Sequence, residues 1–240
     1  MNIALLKTEN FINSDTAVLK GRQHDHIRDI LKLSPGDFLE TGILNGNRWQ
    51  AEIIETRPEK TVIRLAEKHH TAARPTTDII LAMVRPRIAR QVLVALASLG
   101  VKRIMFVNAW KVPKPYFSQR LFDKDEYMEY LYLGLEQSGL TWLPQVTIHK
   151  RFTRFAEEEI ELLLPADNRR IVAHPEGNKV SETTERTPDG STTLAIGPEG
   201  GWTDGEVEML EAKGFKKISL GERILRVETA IPYLFGRLGL

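Results

Sequence analysis

The chain has 240 residues, with 33 Lys and Arg against 32 Asp and Glu and 42% hydrophobic residues, which is enough length for a substantial core and the balance of an ordinary globular protein. It contains no cysteine, so disulfides, thiolate nucleophiles and cysteine-held metals are excluded. No apolar run approaches the roughly 20 residues that cross a bilayer, and Met1 to Lys20 lacks the pattern of a signal peptide, so a cytoplasmic protein without membrane contact is expected.

In chain order, a short helical stretch is expected around Asp25 to Leu33, ending before Gly36-Asp37. "DFLETGILNGNRWQAEIIE" then alternates around Asn45-Gly46-Asn47, the signature of a hairpin, and a further strand is expected at Thr61 to Leu65. The polar stretch "AEKHHTAARPTT" (Ala66 to Thr77) reads as a linker, dividing the chain into domains of residues 1–70 and 71–240.

Beyond it, strands alternate with helices. Strands are expected at Asp78 to Val84, Arg103 to Val107, Gln145 to Ile148, Arg170 to His174, Thr192 to Gly197 and Lys217 to Gly221. Between them lie helical patterns at Ile88 to Leu99, Asp123 to Ser138, Phe155 to Leu164, Asp204 to Lys213 and from Val227 onward. This alternation predicts an α/β layer with a mostly parallel sheet, in which ligands bind beyond the carboxyl ends of the strands.

Charge is distributed unevenly. Arg85, Arg87, Arg90, Lys102, Arg103, Lys111, Lys114 and Arg120 form a block without Asp or Glu, and Trp110, Tyr116 and Phe117 are interleaved with its second half. That composition suits phosphate neutralisation and stacking on unpaired bases, although a solvated face balanced by acids elsewhere would read the same. His24 and His26 fit an RNA backbone contact or plain surface, His69 and His70 read as solvated linker residues, and Trp202 reads as packing.

Three strand ends are candidate site loops: His174-Pro175-Glu176-Gly177, Gly197 to Gly201, and Leu220 to Arg226. In "IGPEGGWTDGE" (Ile196 to Glu206), Thr203 and Glu206 have capping-box spacing, so the helix starts after the glycines. The loop has neither the Lys-Ser/Thr of a P-loop nor a dinucleotide fingerprint, and Glu199 would oppose a phosphate. The glycines therefore read as a tight turn or as bare backbone for a neutral or cationic ligand. Arg223, Arg226 and Glu228 concentrate ionisable groups beside a strand end, with ion pairing of Arg226 to Glu228 or Glu222 as the structural alternative.

"IGPEGGWTDGEVEML" and "LGERILRVETA" closely resemble the two C-terminal motifs of the RsmE family, and "HDHIRDILKLSPGDFLE", "LEQSG" and "LPQV" are similar to its other parts. The family methylates N3 of a uridine in 16S ribosomal RNA with S-adenosylmethionine. The resemblance implies a PUA-like RNA-binding β-barrel followed by a SPOUT-type α/β domain with a C-terminal trefoil knot. It also implies an obligate homodimer that works without metal on 16S ribosomal RNA or the small subunit. It places the cofactor at Ala173, His174, Gly197, Glu199, Gly200, Gly201, Leu220, Gly221, Ile224, Leu225, Arg226 and Ala230; for such a reaction, Arg226 or Arg223 is expected to stabilise the developing imide anion and Glu199 or Glu228 to accept the proton or orient the base. RNA contacts are expected at Arg22, Arg28, Arg85, Arg87, Arg90, Lys111 and Lys114. The chain departs from the family pattern in "RPRIARQ" and "ALASLG", which bears on the RNA-facing charge and thus on the target. A related methyltransferase with another target and a non-catalytic RNA-binding homologue are the alternatives.

Overall fold

The computed structural model describes residues 1–118, 124–179 and 190–240. Arg120, Asp123 and the side chain of Phe117 lie outside them. The chain forms two compact units, Met1–Arg74 with Tyr132–Leu143, and Pro75–Leu131 with Pro144–Leu240.

In the first unit, β1 (Ala4–Leu6), β2 (Thr16–Lys20), β3 (Phe38–Ile43), β4 (Arg48–Arg57) and β5 (Lys60–His69) form one sheet in the order β1-β3-β4-β5-β2. All five strands turn apolar side chains to one core: Ala4 and Leu6, Ala17 and Leu19, Leu39, Ala51 and Ile53, and Ile63. A sheet whose every strand faces a common interior is nearly closed, and register shifts in β4 supply the bending. The expected hairpin joins β3 to β4, with Asn45 at φ 58 and Gly46 N donating to Ile43 O at 2.8 Å. β5 runs on to His69, so the linker is shorter than the polar composition implies. The helix begins earlier than expected, as α1 (Gly21–Asp25) continued by a π-helical segment, His26–Leu31.

Two histidines depart from expectation. His24 is 1% exposed, its Nδ1 2.8 Å from Thr61 Oγ1 and its Nε2 3.0 Å from Pro58 O, so it is a satisfied core residue and neither surface nor RNA contact. His69 Nδ1 lies 3.1 Å from Glu40 and is paired, not simply solvated. The "LEQSG" segment belongs to this unit. Its buried Glu136 meets Arg22 at 2.6 Å and accepts from Gln23 Nε2 at 2.7 Å.

The second unit is a parallel sheet of β6 (Thr77–Ala82), β7 (Arg103–Val107), β8 (Gln145–His149), β9 (Arg169–Lys179), β10 (Thr192–Ile196) and β11 (Lys216–Ser219), ordered β11-β9-β10-β6-β7-β8. β6 and β10 are buried along their whole length, as central parallel strands covered on both faces must be. Pro86 opens α2 (Pro86–Ser98), whose Ala89, Val92, Leu93, Leu96 and Ala97 form one buried stripe. α3 (Lys124–Ser138) follows, of which the part up to Leu131 belongs to this unit, then a broken helix of α4 (Phe152–Arg154), a π-helical segment Phe155–Glu159 and α5 (Ile160–Leu163). That helix starts three residues before Phe155 because Phe152 is itself buried. α6 (Asp204–Ala212) and α7 (Val227–Leu238) complete the unit, and α7 buries Ala230, Ile231, Leu234, Phe235 and Leu238. Among the described residues no helix is long and apolar enough to cross a membrane.

Candidate active site

Because these six strands are parallel, their carboxyl ends open on one edge of the sheet, and the chain order reverses between β10 and β6. A cleft of about 800 Å³ lies there, a size that accommodates a nucleoside-sized ligand. It is bordered by segments from five strand ends.

The first wall is the loop from β10 to α6. Thr203 caps the helix, its Oγ1 accepting from Glu206 N at 3.3 Å while Glu206 Oε2 accepts from Thr203 N at 2.8 Å. Glu206 also accepts Trp110 N at 2.6 Å through Oε1, tying the turn after β7 to this loop. Pro198 to Gly201 is a tight turn closed by Gly201 N donating to Pro198 O at 2.8 Å, with Gly201 at φ 70. A Cβ on Gly197 would lie 3.1 Å from Trp202 N, a tight approach that bare backbone avoids where the loop folds back. Trp202 is 3% exposed and packs on Phe152, their rings 5.4 Å apart. Glu199 Oε1 accepts Arg85 N at 3.0 Å, placing an anion at the amino end of α2.

The second wall differs from the expected loop. His174 to Gly177 does not connect two elements but forms an excursion within β9. Val172 pairs with Lys217 and Asn178 with Ile218, leaving residues 173–177 without partners on β11. Gly177 closes the excursion, since a Cβ there would lie 2.6 Å from Ile218 Cα. The excursion turns Ala173, His174 and Pro175 into the cleft.

The third wall joins β11 to α7. Ser219 Oγ accepts Gly221 N at 3.2 Å, with Gly221 at φ 105, and Arg226 caps α7 through its carbonyl, 2.8 Å from Ala230 N. Between them the backbone of residues 222–225 makes no hydrogen bond among the described residues, leaving its donors and acceptors available to a ligand. The anticipated ion pairs are absent: among the described residues, Glu222, Arg223, Arg226 and Glu228 form none. Every residue anticipated for cofactor or chemistry borders the cleft, from Ala173 and His174 through Gly197 to Gly201 and Leu220 to Glu228, to Ala230 on α7.

Residues 72–239 match the family profile of the RNA methyltransferase domain. The ribosomal RNA small subunit methyltransferase E of Treponema pallidum is 30% identical over 234 residues, covering 96% of this chain and 87% of its own. The chain belongs to the ribosomal RNA small subunit methyltransferase E family. The E 1 member from Borreliella burgdorferi is 25% identical over 96% of this chain and 94% of its own. The E member from Neisseria gonorrhoeae, solved bound to S-adenosyl methionine, superposes with a TM-score of 0.78 at 21% identity, covering 99% of this chain and 96% of that one. The barrel and the parallel α/β sheet are thus the fold of the RsmE family.

The expected RNA-contact residues separate into groups. Arg85 and Lys111 border the cleft, and Lys111 Nζ donates to Trp202 O at 3.1 Å. Arg87 and Lys114 are exposed and meet no carboxylate among the described residues. Arg90 pairs with Glu126 at 2.7 Å, and Arg103 of the basic block is bound through two nitrogens to the buried Asp78. In the first unit Arg22 is held by Glu136, and Arg28 binds Asp29 at 2.6 and 2.8 Å, which holds that carboxyl below its ordinary pKa. Sequence reasoning misses Ile88, and the cleft-facing positions of Arg85 and Lys111, because motif composition singles out three of the five strand ends that border the cleft.

Proposed function

We propose that this RsmE-family chain methylates N3 of a uridine in 16S ribosomal RNA from S-adenosylmethionine, as a cytoplasmic homodimer with residues 1–70 presenting RNA. The observation that carries this reading is the backbone-lined cleft at the carboxyl ends of β9, β10 and β11, bordered by both family motifs. Bound there, S-adenosylmethionine supplies an electrophilic methyl group on a cationic sulfur. The wall residues fit it: Gly197, Gly200 and Gly201 and residues 222–225 offer bare or unpaired backbone, and Glu199, Glu222 and Glu228 on the lining can face the cationic sulfur.

N3 of uridine carries a proton, and its loss spreads negative charge onto O2 and O4. Arg223 and Arg226, both exposed and without ion pairs among the described residues, can face that charge, and Glu228 can accept the proton. Glu228 suits this better than Glu199, one of whose oxygens already holds Arg85 N. Holding both reactants in line supplies the rest of the acceleration. Dimerisation is supported by Ile224, 89% exposed beside the cleft, and Tyr233 on α7, 43% exposed.

The test is base-resolution mapping of methylated uridines in small-subunit RNA with and without the gene, alongside calorimetry of S-adenosylmethionine binding. A single N3-methyl mark that disappears on deletion is the expected result. Cofactor binding with every uridine mark retained would move the target elsewhere, and no binding would leave an RNA-binding protein.

A further inference from the structure

We propose that Trp110, next in the chain to the cleft-lining Lys111, is a base-stacking platform, replacing the stacking that the target nucleotide or its neighbour gives up when the RNA opens. The proposal rests on the uridine-N3 reading above. N3 lies on the Watson–Crick edge, so the reactive uridine must be unpaired when it enters, and its neighbours are left without a stacking partner.

Three observations converge on this residue. Trp110 is 84% exposed, while its neighbours Ala109 and Val112 are 3% and 7% exposed and anchor the turn from below. The turn is closed by Val112 N donating to Ala109 O at 3.0 Å. Its two tip residues are tied to the cofactor wall, Trp110 N to Glu206 at 2.6 Å and Lys111 Nζ to Trp202 O at 3.1 Å, and a Cβ on Gly200 would sit 3.3 Å from Lys111 Cβ. The backbone carrying the indole is therefore fixed against the loop that borders the cleft, while the ring itself is left in water. A rigidly mounted exposed aromatic sacrifices little freedom on stacking. The cations at hand, Arg85 and Lys111 in the cleft and Lys114 four residues on, suit a phosphate backbone and not an acid-poor apolar partner.

The experiment compares Trp110→Ala, Trp110→Leu and Trp110→Phe with wild type. It reads RNA affinity, kcat and KM on a small-subunit RNA fragment, S-adenosylmethionine affinity by calorimetry, and mass in solution. The alanine variant should bind RNA on the order of 10-fold more weakly, with a raised KM and unchanged S-adenosylmethionine affinity. Phenylalanine should restore most of that affinity and leucine little of it. RNA binding by the alanine variant within 2-fold of wild type, equal rescue by leucine, or a change from dimer to monomer would each overturn the proposal, the last by assigning Trp110 to a protein interface. Wild type that binds no S-adenosylmethionine would fail the functional reading instead, and is seen in a separate arm.

Discussion

Glu206 offers the sharpest test of how the cleft is held together. Its carboxylate accepts Thr203 N at 2.8 Å, Thr203 Oγ1 at 3.0 Å and Trp110 N at 2.6 Å, and the residue is 7% exposed. Glu206→Ala removes the reciprocal half of the capping box, worth about 1 kcal/mol, and leaves Trp110 N without the charged acceptor, worth about 1.5–3 kcal/mol. A destabilisation of about 3 kcal/mol follows, which for a chain of this length is a fall in Tm of roughly 6–12 °C. Glu206→Gln keeps an acceptor oxygen for one partner and should cost less than half of that. Thermal unfolding gives the stability, and calorimetry should show weaker S-adenosylmethionine binding in proportion to the disorder of the loop. An alanine variant within about 2 °C of wild type, with cofactor affinity unchanged, would refute the view that this side chain couples the turn after β7 to the cofactor wall.

Gly177→Ala should destabilise by at least about 2 kcal/mol and abolish cofactor binding, because the added methyl meets the backbone of Ile218 and no flexible side chain can yield; circular dichroism and calorimetry check this. Glu228→Gln and Arg226→Ala should each lower kcat by about 10²-fold or more at saturating cofactor, while Glu199→Gln should act mainly through stability and KM; single-turnover methylation separates the two. Replacing Arg87 and Lys114 by Gln should reduce the salt slope of RNA binding by about 1 for each phosphate no longer neutralised, and an unchanged slope would remove them from the interface.

The elements of the second unit are legible in sequence because central parallel strands are continuous apolar runs and the helices between them carry clear periodicity and stops. β7 lies where its apolar run predicts, and the Thr203–Glu206 box sets the start of α6. The excursion in β9 is illegible: His174-Pro175-Glu176-Gly177 has the composition of a loop, and only the approach of Ile218 shows that the strand resumes at Asn178. β1 and β2 escape a sequence reading, and the parallel pairing of β1 with β3 is non-local. The burial of His24 is equally hidden, since its partners, Thr61 and Pro58, lie more than thirty residues away.

The ionisable groups around the cleft divide by what already holds them. Glu199 and Glu206 accept backbone N–H groups and Lys111 donates to a backbone carbonyl, so these three fix the geometry of the loops after β6, β7 and β10. Arg223, Arg226 and Glu228 have no ion-pair partner among the described residues, and all three lie on the segment from β11 into α7, next to the unpaired backbone of residues 222–225. One side of the cleft is thus built to stay still, and the other presents its donors, acceptors and charges unsatisfied. Groups already held by the fold must break a bond to meet a ligand, whereas solvent-facing ones exchange water for the ligand and keep the net gain of that exchange. Transition-state stabilisation is therefore expected to localise on the β11–α7 segment, and substitutions there should change kcat more than the stability of the fold.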